Sequence, residues 1–394
     1  MLANGFEVAL ALGTLFYGTV VAWLWTGVRR SRRDPRRSMA TPSVSVVVAA
    51  RNEAHNISAC LQALERQSYS GTLQIVVVDD RSTDDTGAIA GRILQRWDAA
   101  SELLVLRAPD TPRYVCPKKS ALAAGIEASG GDLLLFTDAD CEPGPAWVAQ
   151  MVARFSESVG LVAGFACTEP MQHHRHRLLA VDNLGVSALA EGSIGMGAPL
   201  SCTGRSLAYR RAVWEEVGGF DDIGHLLSGD DVYFLRLVAA RTKWHVVYCA
   251  DEVAVVSGVT GPTGMGAIIG QKIRHASKAS RYRGGARWLG LALYGYHALL
   301  LAGIVQLLLT GTSAMVFIVA WLSRWGMDAA LLYRFAPRKR RDRVLLTFLP
   351  AVEILYLPYV LILVPLGRRG RFRWKEAGSL PATGSDQPIP EETN

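Results

Sequence analysis

The sequence predicts an α/β domain built on a mixed, mostly parallel sheet and joined to a membrane by apolar helices at both ends of the chain. Residues 43–50 (SVSVVVAA) and 73–78 (LQIVVV) are β-branched runs with almost no polar interruption. A strand that is apolar on both faces is what a parallel sheet covered by helices requires. Between them Ile57, Cys60, Leu61 and Leu64 recur at helical spacing, so the order is strand, helix, strand. The membrane is announced by residues 8–28, which carry no formal charge and are followed by Arg29, Arg30, Arg32, Arg33, Arg36 and Arg37.

Taken in order, that first segment is expected to be a retained transmembrane helix. A cleaved signal would place its basic residues before the apolar core and small residues after it, the reverse of what stands here. The arginine cluster puts the N-terminus outside and the chain from about residue 41 in the cytoplasm, at the inner membrane. Near the other end, residues 288–309, 312–333 and 344–366 are apolar, for three or four spans in all. The last of these is broken by Pro350 and Pro358 and carries Glu353, which favours a re-entrant or interfacial path for it. The basic loop 334–343 is then cytoplasmic, whereas Arg368, Arg369, Arg371, Arg373 and Lys375 fall outside if every segment spans. Residues 378–394 are polar, proline-containing and without apolar period. The expected division is an anchor and basic linker (1–40), a cytoplasmic domain (41–287), a membrane region (288–367) and a tail (368–394).

Composition agrees with that division. With 394 residues, half of them hydrophobic, the chain has room for one ordinary domain plus several spans. The net charge of +7 comes from basic residues placed beside apolar runs, which points to a membrane surface and away from nucleic acid. Six cysteines are scattered singly, without Cys-x-x-Cys pairs, so a reducing compartment is expected. The run His173-His174-Arg175-His176 lacks carboxylate or cysteine partners at ligand spacing.

Ligands of open α/β sheets bind beyond the C-terminal ends of the strands. Polar and acidic residues stand at those ends: Arg51, Asn52 and Glu53 after the first strand, Asp79, Asp80, Arg81 and Ser82 after the second, and Asp138 and Asp140 after residues 132–137. Together VVVDDRSTDDTGAIA, KKSALAAGI and DLLLFTDADCEPGPAWV resemble the nucleotide-binding half of family 2 glycosyltransferases, which have a GT-A (Rossmann-like) fold.

That resemblance covers about residues 42–283 and implies roles for particular residues. Asp80 matches the carboxylate that accepts a hydrogen bond from the nucleobase imide, with Glu53 and Asp79 lining the same pocket. Lys118, or its neighbour Lys119, is placed for base or diphosphate. Asp138 and Asp140 resemble the Asp-x-Asp element that holds a Mg²⁺ or Mn²⁺ ion on the diphosphate, Asp140 being the first choice of ligand. CTGRSLAYRRAVWEEVGGF resembles the acceptor-side segment, with Gly204 and Arg205 bordering the acceptor cleft. Asp230 and Asp231 resemble the acidic motif that supplies the general base, and Asp230 is the favoured one. Gln271, Arg274 and His275 resemble the Gln-x-x-Arg-Trp motif of membrane-bound members, in which the first and fourth residues cap the site and meet diphosphate.

Two departures matter. His275 stands where tryptophan is usual, which disfavours a long sugar-polymer acceptor. Arg51 stands where many members carry an aromatic ring, so a guanidinium meets the base, and UDP is the default nucleotide. The function implied is an inverting, metal-dependent hexosyltransferase of the cell envelope, moving a sugar from a nucleotide-sugar donor to a membrane-associated, lipid-linked acceptor such as a glycolipid precursor. The alternatives are a processive polysaccharide synthase, a nucleotidyltransferase and a non-catalytic nucleotide-sugar-binding membrane scaffold. Residue by residue there is also a plainer account: carboxylates at strand ends cap helices, adjacent aspartates suit a helix N-terminus, and Arg274, His275, Lys278, Arg281, Arg283 and Arg287 form a basic face for anionic lipid.

Overall fold

The computed structural model describes residues 5–33, 38, 40–97, 101–168, 174–258, 264–279, 284–336 and 343–368. Arg36, Arg37, His173, Arg281, Arg283, the side chains of His275 and Lys278, most of the loop 334–343 and the C-terminal tail with its basic cluster from 369 on lie outside the described residues.

Two compact units emerge. The larger, an α/β unit, comprises the described residues within 29–168 and 189–258. Its main sheet has seven strands: β1 (Val44–Ala50), β2 (Leu73–Asp79), β3 (Glu102–Arg107), β4 (Leu133–Phe136), β6 (Val159–Gly164), β8 (Leu207–Arg210) and β9 (His245–Cys249). They run in the order β3-β2-β1-β4-β8-β6-β9. A small second sheet joins β5 (Cys141–Pro143), β10 (Val256–Gly258) and β7 (Ala166–Thr168). Strands β1 to β4 are parallel to one another, as β6 is to β9, and β8 is antiparallel to both β4 and β6, which makes the sheet mixed and mostly parallel as expected.

The β-branched runs form the centre of this sheet because helices cover both faces. Val46, Val47 and Val48 are wholly buried, each contributing about 1.5–3 kcal/mol of burial. Helix α2 (Ile57–Glu65) buries Ile57, Cys60, Leu61 and Leu64, the four positions selected by the sequence spacing. In chain order α3 (Thr86–Gln95) is followed by α4 (Pro117–Glu127) and α5 (Trp147–Val152), and α4 lies close against β1 and β2. Gly125 permits this, since a Cβ there would come within 2.5 Å of Val47 Cγ1 and 2.9 Å of Val78 Cγ2. The strand order reverses direction between β1 and β4, so a cleft opens beyond their C-terminal ends. Because β8 is antiparallel to β4, the loop 201–206 that precedes β8 arrives at the same edge.

The second unit holds residues 5–28 and 174–188 and the described residues from 264 onward. Four helical stretches are long and apolar enough to cross a membrane: α1 (Gly5–Arg33), α10 (Gly284–Thr310), α11 (Ala314–Phe335) and Leu345–Leu366. The last is helical throughout although its sequence contains three prolines, Pro350, Pro358 and Pro365. Pro350 sits in the first turn of α12 (Leu349–Pro358), where its missing N–H is tolerated. The backbone after Pro358 widens into a π-helix, Tyr359–Leu363.

Glu353, the residue that favoured a re-entrant path, is buried and ion-paired: its carboxylate lies 2.5 Å from Arg324 Nη2 on α11. Arg324 also stands 3.9 Å from Asp328, and Tyr17 on α1 donates to both oxygens of Asp328 at 2.7 and 2.8 Å. Leu10, Tyr296, Leu300, Phe317, Ala320 and Leu357 pack as the apolar core around these contacts.

Two boundaries differ from those expected. The first part of α6 (His174–Gly195) groups with the apolar helices, and so does α9 (Met265–Ala279), which carries Gln271 and Arg274.

Candidate active site

The β1 end is held by the β2 end. Asp80 N–H donates to the Ala50 carbonyl at 2.7 Å, and Asn52 N–H and Glu53 N–H donate to Ser82 Oγ and Thr86 Oγ1 at 3.0 and 2.8 Å. Asp84 ties the two loops further, accepting from Ala54 N–H and Thr86 N–H. Asn52 and Arg81 have positive φ, 54° and 55°, a conformation unfavourable for arginine. It brings the Arg81 side chain back onto Asp80, whose Oδ1 accepts from Arg81 Nε at 3.0 Å and from Nη2. Arg51 Nη1 lies 3.9 Å from the other oxygen. The expected base-reading carboxylate is therefore buried between two guanidiniums.

Asp79 is tied into the loop that follows β2. Its Oδ1 accepts from Ser82 N–H at 3.0 Å, and its Oδ2 lies over Gly87, where a Cβ would be 2.6 Å away. It shapes the loop between β2 and α3. The two lysines also separate. Lys119 is wholly buried and donates to the carbonyls of Ile223 and Leu226 at 2.5 and 3.0 Å, so it braces α4 against the segment 223–226.

Lys118 faces the cleft. Its ammonium lies 2.6 Å from Asp138 Oδ1 and 3.2 Å from Asp230 Oδ2. Burial alone would lower the Lys118 pKa, but Asp138 and Asp230 beside it hold it well above the usual lysine value. Burial likewise opposes ionisation of Asp138, and the Lys118 charge and hydrogen bond outweigh it, so this carboxyl lies below the usual range. Asp140 behaves oppositely. Burial first, then the neighbouring Asp138 and Glu53 carboxylates, push it up.

Gly204 completes the cluster, for a Cβ there would stand 3.4 Å from Asp230 Oδ2 and 3.7 Å from Lys118 Nζ. The void enclosed by Lys118, Thr137, Asp138, Gly204, Tyr209 and Asp230 is only about 10 Å³, room for one water at most. The cluster is thus the floor of the cleft and not a sugar pocket. Asp231 caps α8 (Val232–Arg241), its carboxylate accepting from Val232 N–H at 2.7 Å, which leaves Asp230 as the carboxylate joined to the Asp-x-Asp end. Arg205, expected at the acceptor cleft, donates to the carbonyls of Cys167 and Ala166 at 3.2 and 3.3 Å and adds positive charge near Asp138 and Asp140.

Residues 45–218 match the family described as Glycosyl transferase family 2. Within those bounds the chain is similar to glycosyltransferase family 2. Glycosyltransferase AglE of Haloferax volcanii is 32% identical over 205 residues, covering 50% of this chain and 60% of that protein. An N-acetylglucosaminyltransferase of Sinorhizobium fredii is 27% identical over 328 residues, 77% of each chain. Among solved structures, the mannosyltransferase PcManGT from Pyrobaculum calidifontis, in complex with GDP-Man and Mn²⁺, aligns over 92% of this chain and 97% of its own. Its TM-score is 0.59 at 20% identity, which shows a shared GT-A fold. The match to AglE spans 60% of that relative's length, and the match to the probable glycosyltransferase YdaM of Bacillus subtilis spans 43%.

The described cluster lies wholly within the α/β unit. Gln271 and Arg274 are half-buried on α9, in the other unit. Sequence reasoning missed the brace from Arg81, since nothing in the Asp-Asp-Arg-Ser string marks a left-handed residue. It also missed that Lys118 joins Asp138 to Asp230.

A divalent cation, implied by the resemblance, can be tested against the donor set. Asp140 stands among carboxylates, with Asp138 and Glu53 nearby, and this excess of hard oxygen ligands fits Mg²⁺ or Mn²⁺. No group of three or more candidate ligand side chains converges among the described residues.

Proposed function

We propose that this protein transfers a hexosyl group from a nucleoside diphosphate sugar to a hydroxyl of a membrane-associated, lipid-linked acceptor, with inversion at the anomeric carbon. The observation that supports it most is the single ammonium of Lys118 shared by Asp138 and Asp230. It joins the end of the cleft suited to a cation and diphosphate to a carboxylate able to take a proton.

Asp140, with Asp138, would hold the cation, which would stabilise negative charge on the departing diphosphate. Lys118 offers a positive charge to the same phosphates. Asp230 accepts the acceptor hydroxyl proton as that oxygen forms its bond to the anomeric carbon. The bond from that carbon to the phosphate oxygen breaks, its electron pair leaving with the nucleoside diphosphate. One displacement at one carbon inverts it. The similar structure named for GDP-Man and Mn²⁺ supports a nucleotide-sugar donor and a cation. The four apolar stretches support an acceptor that stays in the bilayer, and the arginines after α1 support a cytoplasmic catalytic unit.

The test is nucleotide release by the detergent-purified chain, with UDP- and GDP-sugars, Mg²⁺ or Mn²⁺ and membrane lipid extract. Release that requires lipid and cation, and that Asp230→Asn removes, is expected. Release that Asp230→Asn leaves intact would overturn the assignment of the base, and release without lipid at the same rate would overturn the acceptor.

A further inference from the structure

Within the helical unit the last apolar segment can be followed against its neighbours. α1 ends and α10 begins on one face of the bilayer, the near face, since none of the described stretches between them is long and apolar enough to cross. α10 then runs to the far face and α11 returns, so Leu345–Leu366 starts at the near face. Its first turn keeps polar company. The Phe348 ring lies 5.9 Å from that of His174 and 5.5 Å from the Arg177 guanidinium, both on α6. The segment then goes inward, for Glu353 meets Arg324 of α11 and the Tyr356 ring lies 5.9 Å from that of His297 on α10.

A helix crossing beside α10 would next meet residues beyond His297. Five residues on (361 − 356), about 7.5 Å of helical rise, the Leu361 carbonyl instead accepts from the hydroxyl of Tyr294 at 3.3 Å, three residues before His297 (297 − 294). A helical side chain leans toward its own N-terminus, which brings that hydroxyl nearer still to the near face. The rest of the segment leaves α10 for α9. Lys272 stands 5.4 Å over the Tyr359 ring and is ion-paired with Asp182 of α6, and Val364–Arg368 packs along α9. With Gln271, Lys272 and Arg274, α9 is too polar to lie in the hydrocarbon. The far half of α10 meanwhile keeps Leu301, Val305, Leu308 and Leu309 exposed. The bend comes where the backbone permits one, at Pro358 and the π-helix that follows it.

We infer that Leu345–Leu366 is a re-entrant element, entering from the near face, turning at Pro358 and ending beside α9 on the face where it began. The chain then crosses the membrane three times. Arg324 holds the descending limb through Glu353, and Lys272 holds the returning limb at Tyr359. Arg368, Arg369, Arg371, Arg373 and Lys375 fall on the same side as the arginines that end α1, as the bias of basic residues to one face requires. A fourth crossing would set those two groups of cations on opposite faces.

The test counts crossings by parity. The full chain carries one epitope before Met1 and a different one after Asn394, and binding of both antibodies is measured on spheroplasts and on everted membrane vesicles. Three crossings put the epitopes on opposite faces, so each preparation is expected to bind one antibody and to exclude the other until detergent admits both. Both epitopes exposed in the same preparation means a fourth crossing and overturns the inference. The reading holds whichever way up the chain sits. Failure of the cytoplasmic assignment above would show as the two antibodies changing places, and not as their meeting on one face.

Discussion

Two clusters in this molecule have the same composition, one cation between two carboxylates, and opposite settings. In the α/β unit Lys118 stands between Asp138 and Asp230, with the lysine side chain 23% exposed. Among the apolar helices Arg324 stands between Asp328 and Glu353, with the arginine 3% exposed. A compact ammonium at a cleft floor can exchange carboxylates for phosphate oxygens. A guanidinium closed in by Tyr17 and two carboxylates holds three helices, α1, α11 and α12, in register. The difference teaches that stoichiometry does not separate a site from a brace; access and the choice of cation do.

The comparison breaks most readily through the carboxylates. Asp230→Asn is expected to lower turnover by about 100- to 10,000-fold, the range for loss of a general base, while the thermal midpoint of the chain stays put. A fall in the midpoint instead would make Asp230 another brace. Arg324→Leu is the mirror case. Stranding Asp328 and Glu353 is expected to cost about 3–5 kcal/mol, measured as loss of folded protein on heating in detergent. Unchanged stability there would mean that the apolar packing of α1 against α11 suffices. A smaller effect sharpens the same distinction between neighbours in sequence. Lys119→Met should destabilise the α/β unit by about 1–3 kcal/mol, because it leaves two carbonyls unsatisfied, and nucleotide affinity should hold. Lys118→Met should do the reverse, weakening nucleotide binding with little change in stability.

Much of the α/β unit was legible. The β-branched runs gave β1 and β2, the spacing of Ile57, Cys60, Leu61 and Leu64 gave α2, and the acidic strand ends marked the edge where the cluster forms. The lysine pair was not resolved, because α4 is built from alanine and glycine and its pattern does not say which side faces the sheet. Arg324 went unread for a related reason. Its partner Glu353 is 29 residues away on another helix (353 − 324), and a charge in an apolar run looks like an exception until that partner is known. The split of α6 between the two units was also invisible, since the helix continues unbroken across it.

The cysteines carry one more consequence. Cys60, Cys116, Cys141, Cys202 and Cys249 are buried and Cys167 is half-buried, all as free thiols. Burial pushes Cys60, Cys116 and Cys141 up and takes Cys249 to about 11, so little thiolate forms at neutral pH. The unaltered chain therefore offers a quiet background for labelling. On intact cells, a membrane-impermeant maleimide should tag a cysteine introduced at Thr312, between α10 and α11, and spare one introduced at Asp110. The opposite pattern would turn the whole chain over in its membrane.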